Sequence, residues 1–139
     1  NSGIANHAFY LAVEGGTTGR TAGLEFAFST KPGFSYTAGD ISTDAVAVTW
    51  KAGTVFAARC TRLSKGGRVL VQSAQPLTCE VSGGTIKYSH CVDDEVSLGV
   101  SAKPKSVTVN GAAARFSHDA VAGLVKVALP NGEGTVIIK

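Results

Sequence analysis

Apolar residues along this chain alternate with polar ones in short runs and almost never recur at helical spacing. Leu24, Phe26 and Phe28 alternate against Glu25 and Ala27, while Val46, Val48 and Trp50 share one face with Ala45, Ala47 and Thr49 on the other. A period of two sends successive side chains to opposite sides of an extended backbone, so each run predicts a strand with one buried face. Residues 54–63, 68–73, 77–82, 85–89 and 95–102 continue the pattern. Between them stand Ala52-Gly53, Lys65-Gly66-Gly67, Gly83-Gly84 and Asp93-Asp94, residue types that accept the backbone of a tight turn. The pattern predicts an antiparallel meander.

Residues 105–139 carry the plainest signal. Ser-Val-Thr-Val, the pair Asn110-Gly111, Ala-Ala-Arg-Phe-Ser, Leu-Val-Lys-Val-Ala-Leu and Thr-Val-Ile-Ile follow one another with glycine or polar turns between, and predict a series of β-hairpins. Asn-Gly supplies two residues that accept positive φ, which matches the twist of a type I′ hairpin. The amino end is mixed in period: Ile4, Ala8, Leu11 and Ala12 suit a helix, Phe9, Leu11 and Val13 a strand, and a strand is expected. With turn signals at roughly 8–12-residue intervals, the chain reads as all-β: an antiparallel two-sheet β-sandwich, jelly-roll-like, in a single domain over 1–139.

Composition narrows the class further. The 139 residues include 17 glycines, and the net charge of +3 comes from 13 Lys and Arg against 10 Asp and Glu, scattered singly. Without a basic stripe interleaved with aromatics, nucleic-acid binding is disfavoured. No run approaches the roughly 20 apolar residues of a transmembrane helix. The chain contains no Met and begins at Asn1, so a processed or excised, extracellular chain is expected. Cys60, Cys79 and Cys91 lack zinc-knuckle spacing and predict one disulfide and one buried thiol. Turning at Gly83-Gly84 sets Cys79 opposite about Tyr88, so a 79–91 bond needs a bulge or crossing. Cys60 paired with either of the others is the alternative.

Potential chemistry concentrates at His90, Cys91, Asp93, Asp94 and Glu95. Three adjacent carboxylates would suit a structural calcium ion, whose shell is six to eight oxygens. The simpler reading is a solvated acidic corner, because neighbouring strand residues diverge. His118-Asp119 reads as the opening of a loop to Gly123 capped by the Asp side chain. His7 with Asn6 and Tyr10 has the residue types of a proton-transfer site, but no second half of that site can be named. No Gly-x-Ser-x-Gly elbow or phosphate loop occurs, so no catalytic residues and no cofactor are expected. Sugar rings stack on exposed aromatic faces, which makes Trp50, Tyr36 and Tyr88 the candidate ligand contacts. Alternation turns Trp50 inward, and the other two are better placed for exposure.

Two stretches resemble known families. Residues 1–16, Asn-Ser-Gly-Ile-Ala-Asn-His-Ala-Phe-Tyr-Leu-Ala-Val-Glu-Gly-Gly, look like a helical segment of thermolysin-like metallopeptidases. The zinc motif His-Glu-x-x-His of that family is absent, so the activity does not carry over. From about Trp50 onward, Ala-Lys-Pro-Lys-Ser-Val-Thr-Val-Asn-Gly, Arg-Phe-Ser-His-Asp and Gly-Leu-Val-Lys-Val-Ala-Leu-Pro-Asn-Gly-Glu-Gly-Thr-Val-Ile-Ile are similar to terminal β-sandwich modules of glycoside hydrolases and polysaccharide lyases. That resemblance implies a non-catalytic accessory module, bracing an upstream catalytic domain or holding polysaccharide. The competing expectation is a secreted subunit of a fibre or surface layer, self-assembling by strand-edge pairing through residues 8–13.

Overall fold

The computed structural model describes residues 17–21, 24–28 and 34–139. The amino-terminal candidates Asn6, His7 and Tyr10, the 8–13 segment and the stretch resembling a metallopeptidase helix lie outside the described residues.

The described chain is all-β. Its strands are β1 (Thr17–Thr21), β2 (Leu24–Phe28), β3 (Tyr36–Ala38), β4 (Ile41–Thr43), β5 (Ala47–Lys51), β6 (Thr54–Lys65) and β7 (Arg68–Ser82). They continue as β8 (Thr85–His90), β9 (Asp94–Gly99), β10 (Val107–Val109), β11 (Ala112–Ala113), β12 (Phe116–Asp119), β13 (Leu124–Leu129) and β14 (Gly132–Ile138). All pairings are antiparallel and link into one unclosed sheet. No helix among the described residues is long and apolar enough to cross a membrane.

The sheet branches at the long hairpin β6–β7. One branch runs β1-β2-β5-β6-β7-β8-β14-β10-β11, using residues 54–58 of β6 and 77–82 of β7. The other runs β3-β4-β6-β7-β9-β13-β12, using residues 63–65 of β6 and Val71 and Gln72 of β7. Each long strand changes partners where its chemistry interrupts pairing. In β7 the change comes between Gln72 and Leu77, around Pro76, which has no N–H to give a ladder. In β6 it comes at two register shifts, between Ala57 and Cys60 and between Cys60 and Arg62, with Arg59 at φ 53°.

Those bulges re-aim the side chains of β6. Val55 and Ala57 point inward at the usual spacing of two; the next inward residues are Cys60 and then Leu63. The groups freed by the bulges find partners across the chain. The Arg59 N–H donates to Thr78 Oγ1 at 3.2 Å, and Asp44 accepts from the N–H groups of Thr61 at 2.8 Å and Arg62 at 3.0 Å. Thr43 Oγ1 donates to Arg62 O at 2.6 Å, completing the clamp.

Residues of both branches share one buried cluster, among them Val48, Val55, Ile86 and Val136 from the first and Ile41, Leu98, Val125 and Leu129 from the second. Each fully buried Val, Leu or Ile contributes roughly 1.5–3 kcal/mol against its exposed state.

Three expectations change. β8 does not continue into β9 as a meander: the chain turns the corner at residues 91–93 and β9 joins the other branch. β13 and β14 are not a hairpin either, because β13 pairs with β9 and β12 while β14 pairs with β8 and β10. In both places local alternation encodes a strand but not its neighbour. Of the β2 side chains that are described, Ala27 is fully buried and Phe26 is half-buried. The Asn110-Gly111 turn forms as expected, with φ of 54° and 82°, between β10 and β11.

Candidate functional site

The acidic corner after β8 does not gather its carboxylates. Asp93 accepts from Asn131 N–H at 2.8 Å, whereas the Asp94 carboxylate turns to His90, Ser73 and Gln75. Glu95, exposed, is paired by its backbone with Ala128 of β13. No group of three or more His, Cys, Asp and Glu placed to hold a metal occurs among the described residues.

Ser73, His90 and Asp94 bring together the residue types of a hydrolytic triad in the wrong order. In a triad the imidazole stands between hydroxyl and carboxylate. Here Asp94 Oδ2 is the hub, 3.0 Å from Ser73 Oγ and 3.3 Å from His90 Nε2. His90 Nδ1 accepts the Cys91 N–H at 3.1 Å, so the ring proton sits on Nε2 and faces Asp94. Ser73 donates to Gln75 O at 2.6 Å. Burial alone would raise the Asp94 carboxyl; the Ser73 and His90 side chains and the N–H groups of Gln75 and Glu95 outweigh it and hold it below the ordinary value. The cluster ties the 73–76 bend of β7 to the start of β9.

The aromatic candidates sit deeper than stacking requires. Trp50 is 7% exposed, and its indole packs at the turn of Gly39. Tyr88, for which the sequence leaves exposure and burial with a satisfied hydroxyl equally open, is 4% exposed. It occupies an inward row with Ala57, Cys79 and Gly134, where a Cβ on residue 134 would stand 2.6 Å from its hydroxyl oxygen. Glycine at 134 makes room for the ring, and the Tyr88 hydroxyl donates to Pro130 O at 3.3 Å. Tyr36 is half-buried and donates to Ala45 O at 2.7 Å. Burial and the nearby Asp44 carboxylate push its hydroxyl up to about 12. His118-Asp119 opens a loop as expected, Asp119 Oδ1 accepting from Val121 and Ala122 N–H at 3.0 Å.

Cys79 faces Tyr88 as the Gly83-Gly84 turn requires. All three cysteines are free thiols in the structure, Cys60 and Cys79 buried and Cys91 exposed, so the expected disulfide is not formed here and the buried thiols number two.

Two of the grooves on the described surface bear on binding. One, of about 470 Å³, lies over the outward rows of β6, β7, β8 and β14, where Phe56, 37% exposed, stands beside Glu80, Lys87 and Thr135. The other, of about 580 Å³, was not legible as a unit in the sequence. The β6–β7 turn brings Lys65 and Arg68, the loop after β9 brings Lys103, and the end of β14 brings Lys139. Half-buried Leu70, Val100 and Ile138 line it too. Among the described residues, no acidic side chain and no aromatic ring lines this groove. The Lys139 main-chain oxygen accepts from Lys105 and Ser106 N–H at 2.7 and 3.2 Å, which engages it away from a ligand.

Backbone packing is close here. A Cβ at Gly99 would lie 1.9 Å from Val69 O, and one at Gly84 2.5 Å from Ile138 O. Glycine is therefore required for these strands to meet under the groove.

Neither protein-family models nor curated protein sequences give a match to this chain.

Proposed function

We propose that the chain is a non-catalytic, extracellular β-sandwich module of a carbohydrate-active enzyme, and that it holds an acidic polysaccharide in the groove of Lys65, Arg68, Lys103 and Lys139. The branching supports the two-layer reading. The two branches share β6–β7 and a single buried cluster, which suits two faces folded on one another.

The observation that carries the function is the one-signed groove. Four cations surround a concavity with an apolar floor and, among the described residues, no acidic side chain, in a chain whose charges are otherwise nearly balanced. Cations with no acidic side chain among them raise the local concentration of anions. Lys ammonium and Arg guanidinium groups match carboxylates by charge-assisted hydrogen bonds. The absence of a ring favours a uronate-bearing chain over a neutral glycan, which relies on stacking. It disfavours single-stranded nucleic acid, whose bases need aromatic platforms. The dispersal of the Ser73, His90 and Asp94 groups into structural bonds supports a role without catalysis.

A fibre subunit is the competing reading. Among the described residues the sheet ends in β1, β3, β11 and β12, strands of five, three, two and four residues. Short edges are poor templates for strand addition, which favours the module.

Affinity electrophoresis through gels containing polygalacturonate or a neutral β-glucan tests the proposal. Retardation by polygalacturonate alone, relieved by salt and by Lys65→Ala with Arg68→Ala, is the expected result. No retardation in either gel would leave only the bracing role. Concentration-dependent polymers in size-exclusion chromatography would favour the fibre.

A further inference from the structure

Cys60 and Cys79 form the one buried pair of nucleophiles among the described residues that no other part of the account employs. They stand on adjacent antiparallel strands, Cys79 opposite Ala57 and Cys60 opposite Leu77. Simple alternation from Ala57 would turn residue 60 outward; the bulge at Arg59 turns it inward, onto the side of the sheet where Cys79 already points. The thiols are close enough for a side-chain hydrogen bond, and that contact, with burial, pushes the Cys79 thiol well up. Cys91, beyond the end of β8, is exposed and takes no part.

We propose that Cys60 and Cys79 are joined as a disulfide when the chain folds in an oxidising compartment, stapling β6 to β7 at the point where the sheet branches. The oxidant is a disulfide of the thiol–disulfide exchange class, a small-molecule or protein disulfide. One cysteine thiolate attacks a sulfur of that oxidant, forms a mixed disulfide and releases one oxidant thiol. The second cysteine thiolate then attacks the bound sulfur, forming the Cys60–Cys79 bond and releasing the other. The chain loses two protons and two electrons, and the oxidant disulfide becomes two thiols. With both cysteines buried and the Cys79 thiolate disfavoured in the folded state, exchange takes place before the core closes. The finished bond is then shielded from reductant. It is a permanent staple and not a switch, and it constrains the unfolded chain.

The test is alkylation and peptide mapping of the chain refolded with a glutathione redox pair. The expected protein is lighter than the reduced chain by two hydrogens. In denaturant it presents one alkylatable thiol, on Cys91, and it yields a linked peptide carrying Cys60 and Cys79. Native protein resists dithiothreitol, whereas the same reagent frees both thiols once guanidinium is added. Three alkylatable thiols, or a link that includes Cys91, would overturn the proposal. A second measurement does not depend on mapping. The melting temperature of the wild type and of Cys91→Ser rises on oxidation by several degrees, and that of the Cys60→Ala, Cys79→Ala double variant does not. A redox-dependent melting temperature in the double variant would also overturn it.

Discussion

Asp44, on the loop after β4, accepts the backbone N–H of Thr61 at 2.8 Å, and with it the second bulge of β6 is held open. The same carboxylate takes the Arg62 N–H at 3.0 Å and the Thr61 hydroxyl, with the Arg62 guanidinium 3.8 Å away. Substitution leaves those N–H groups without a partner in a region that is 8% exposed at Asp44. Asp44→Ala is expected to lower stability by about 2–4 kcal/mol and Asp44→Asn, which keeps one acceptor oxygen, by about half as much. Urea unfolding followed by tryptophan fluorescence measures both. A loss under about 0.5 kcal/mol for Asp44→Ala, the range of an ordinary surface substitution, would show that the bulge does not depend on this residue.

The same site gives an acid limit. Burial alone would raise the Asp44 carboxyl, but the Thr61 hydroxyl, the Arg62 and Thr61 N–H groups and the Arg62 charge lower it below 3.8. A group whose folded value is depressed stabilises fully above its unfolded value and loses that contribution as pH falls through the folded one. Unfolding free energy is therefore expected to fall below about pH 4, and to fall less in Asp44→Asn. Equal acid sensitivity in the two proteins would assign the effect elsewhere.

Tyr36 sets a limit at the alkaline end. Its hydroxyl, about 12 when folded against 10.0 as the ordinary value, keeps its proton longer in the native chain. The stability it contributes is whole below about pH 10 and lost as pH rises toward 12. Absorbance titration of tyrosinate in wild type and Tyr36→Phe is expected to show the missing residue as the late-titrating one. Removing the bond to Ala45 O is expected to cost about 1 kcal/mol near neutral pH. Loss of an early-titrating tyrosine would contradict this placement.

Gly99 lies where β9 passes the backbone of Val69, leaving no space for a methyl group. Gly99→Ala is expected to destabilise by about 2 kcal/mol or more, through a shift of backbone that a flexible side chain cannot absorb. Gly53→Ala meets no atom within 4 Å and is strained only by its φ of 79°, so it is expected to cost less. Thermal melts of the two variants give the comparison, and equal losses would remove the close approach as the cause.

The strands themselves were legible because alternation and turn chemistry are local. Asn110-Gly111 adopts the positive φ values that its residue types favour, and Cys79 faces Tyr88 because the Gly83-Gly84 turn counts the register. The branching was not legible, and β6 shows why. Its inward residues fall at Val55, Ala57, Cys60 and Leu63, so Val55 and Leu63 keep the same phase and the run looks like a plain strand from either end. Only the inward turn of Cys60 betrays the insertion, and a cysteine is tolerated on either face. The choice between exposure and burial for Tyr88 was not legible for a related reason: glycine at 134, two strands away from Cys79, leaves the space that the ring fills. The basic groove was hidden as well. Its four cations come from three separated segments, which in the sequence read as scattered single charges.

Backbone amide NMR during titration with an oligogalacturonate tests whether this groove holds a carboxylated polysaccharide. Shifts concentrated at Gly66, Gly67, Gly84, Gly99 and Val100, reversed by salt and absent in Lys65→Ala with Arg68→Ala, are the expected result. Shifts confined to the face around Phe56 and Thr135, or none at saturating oligosaccharide, would contradict it.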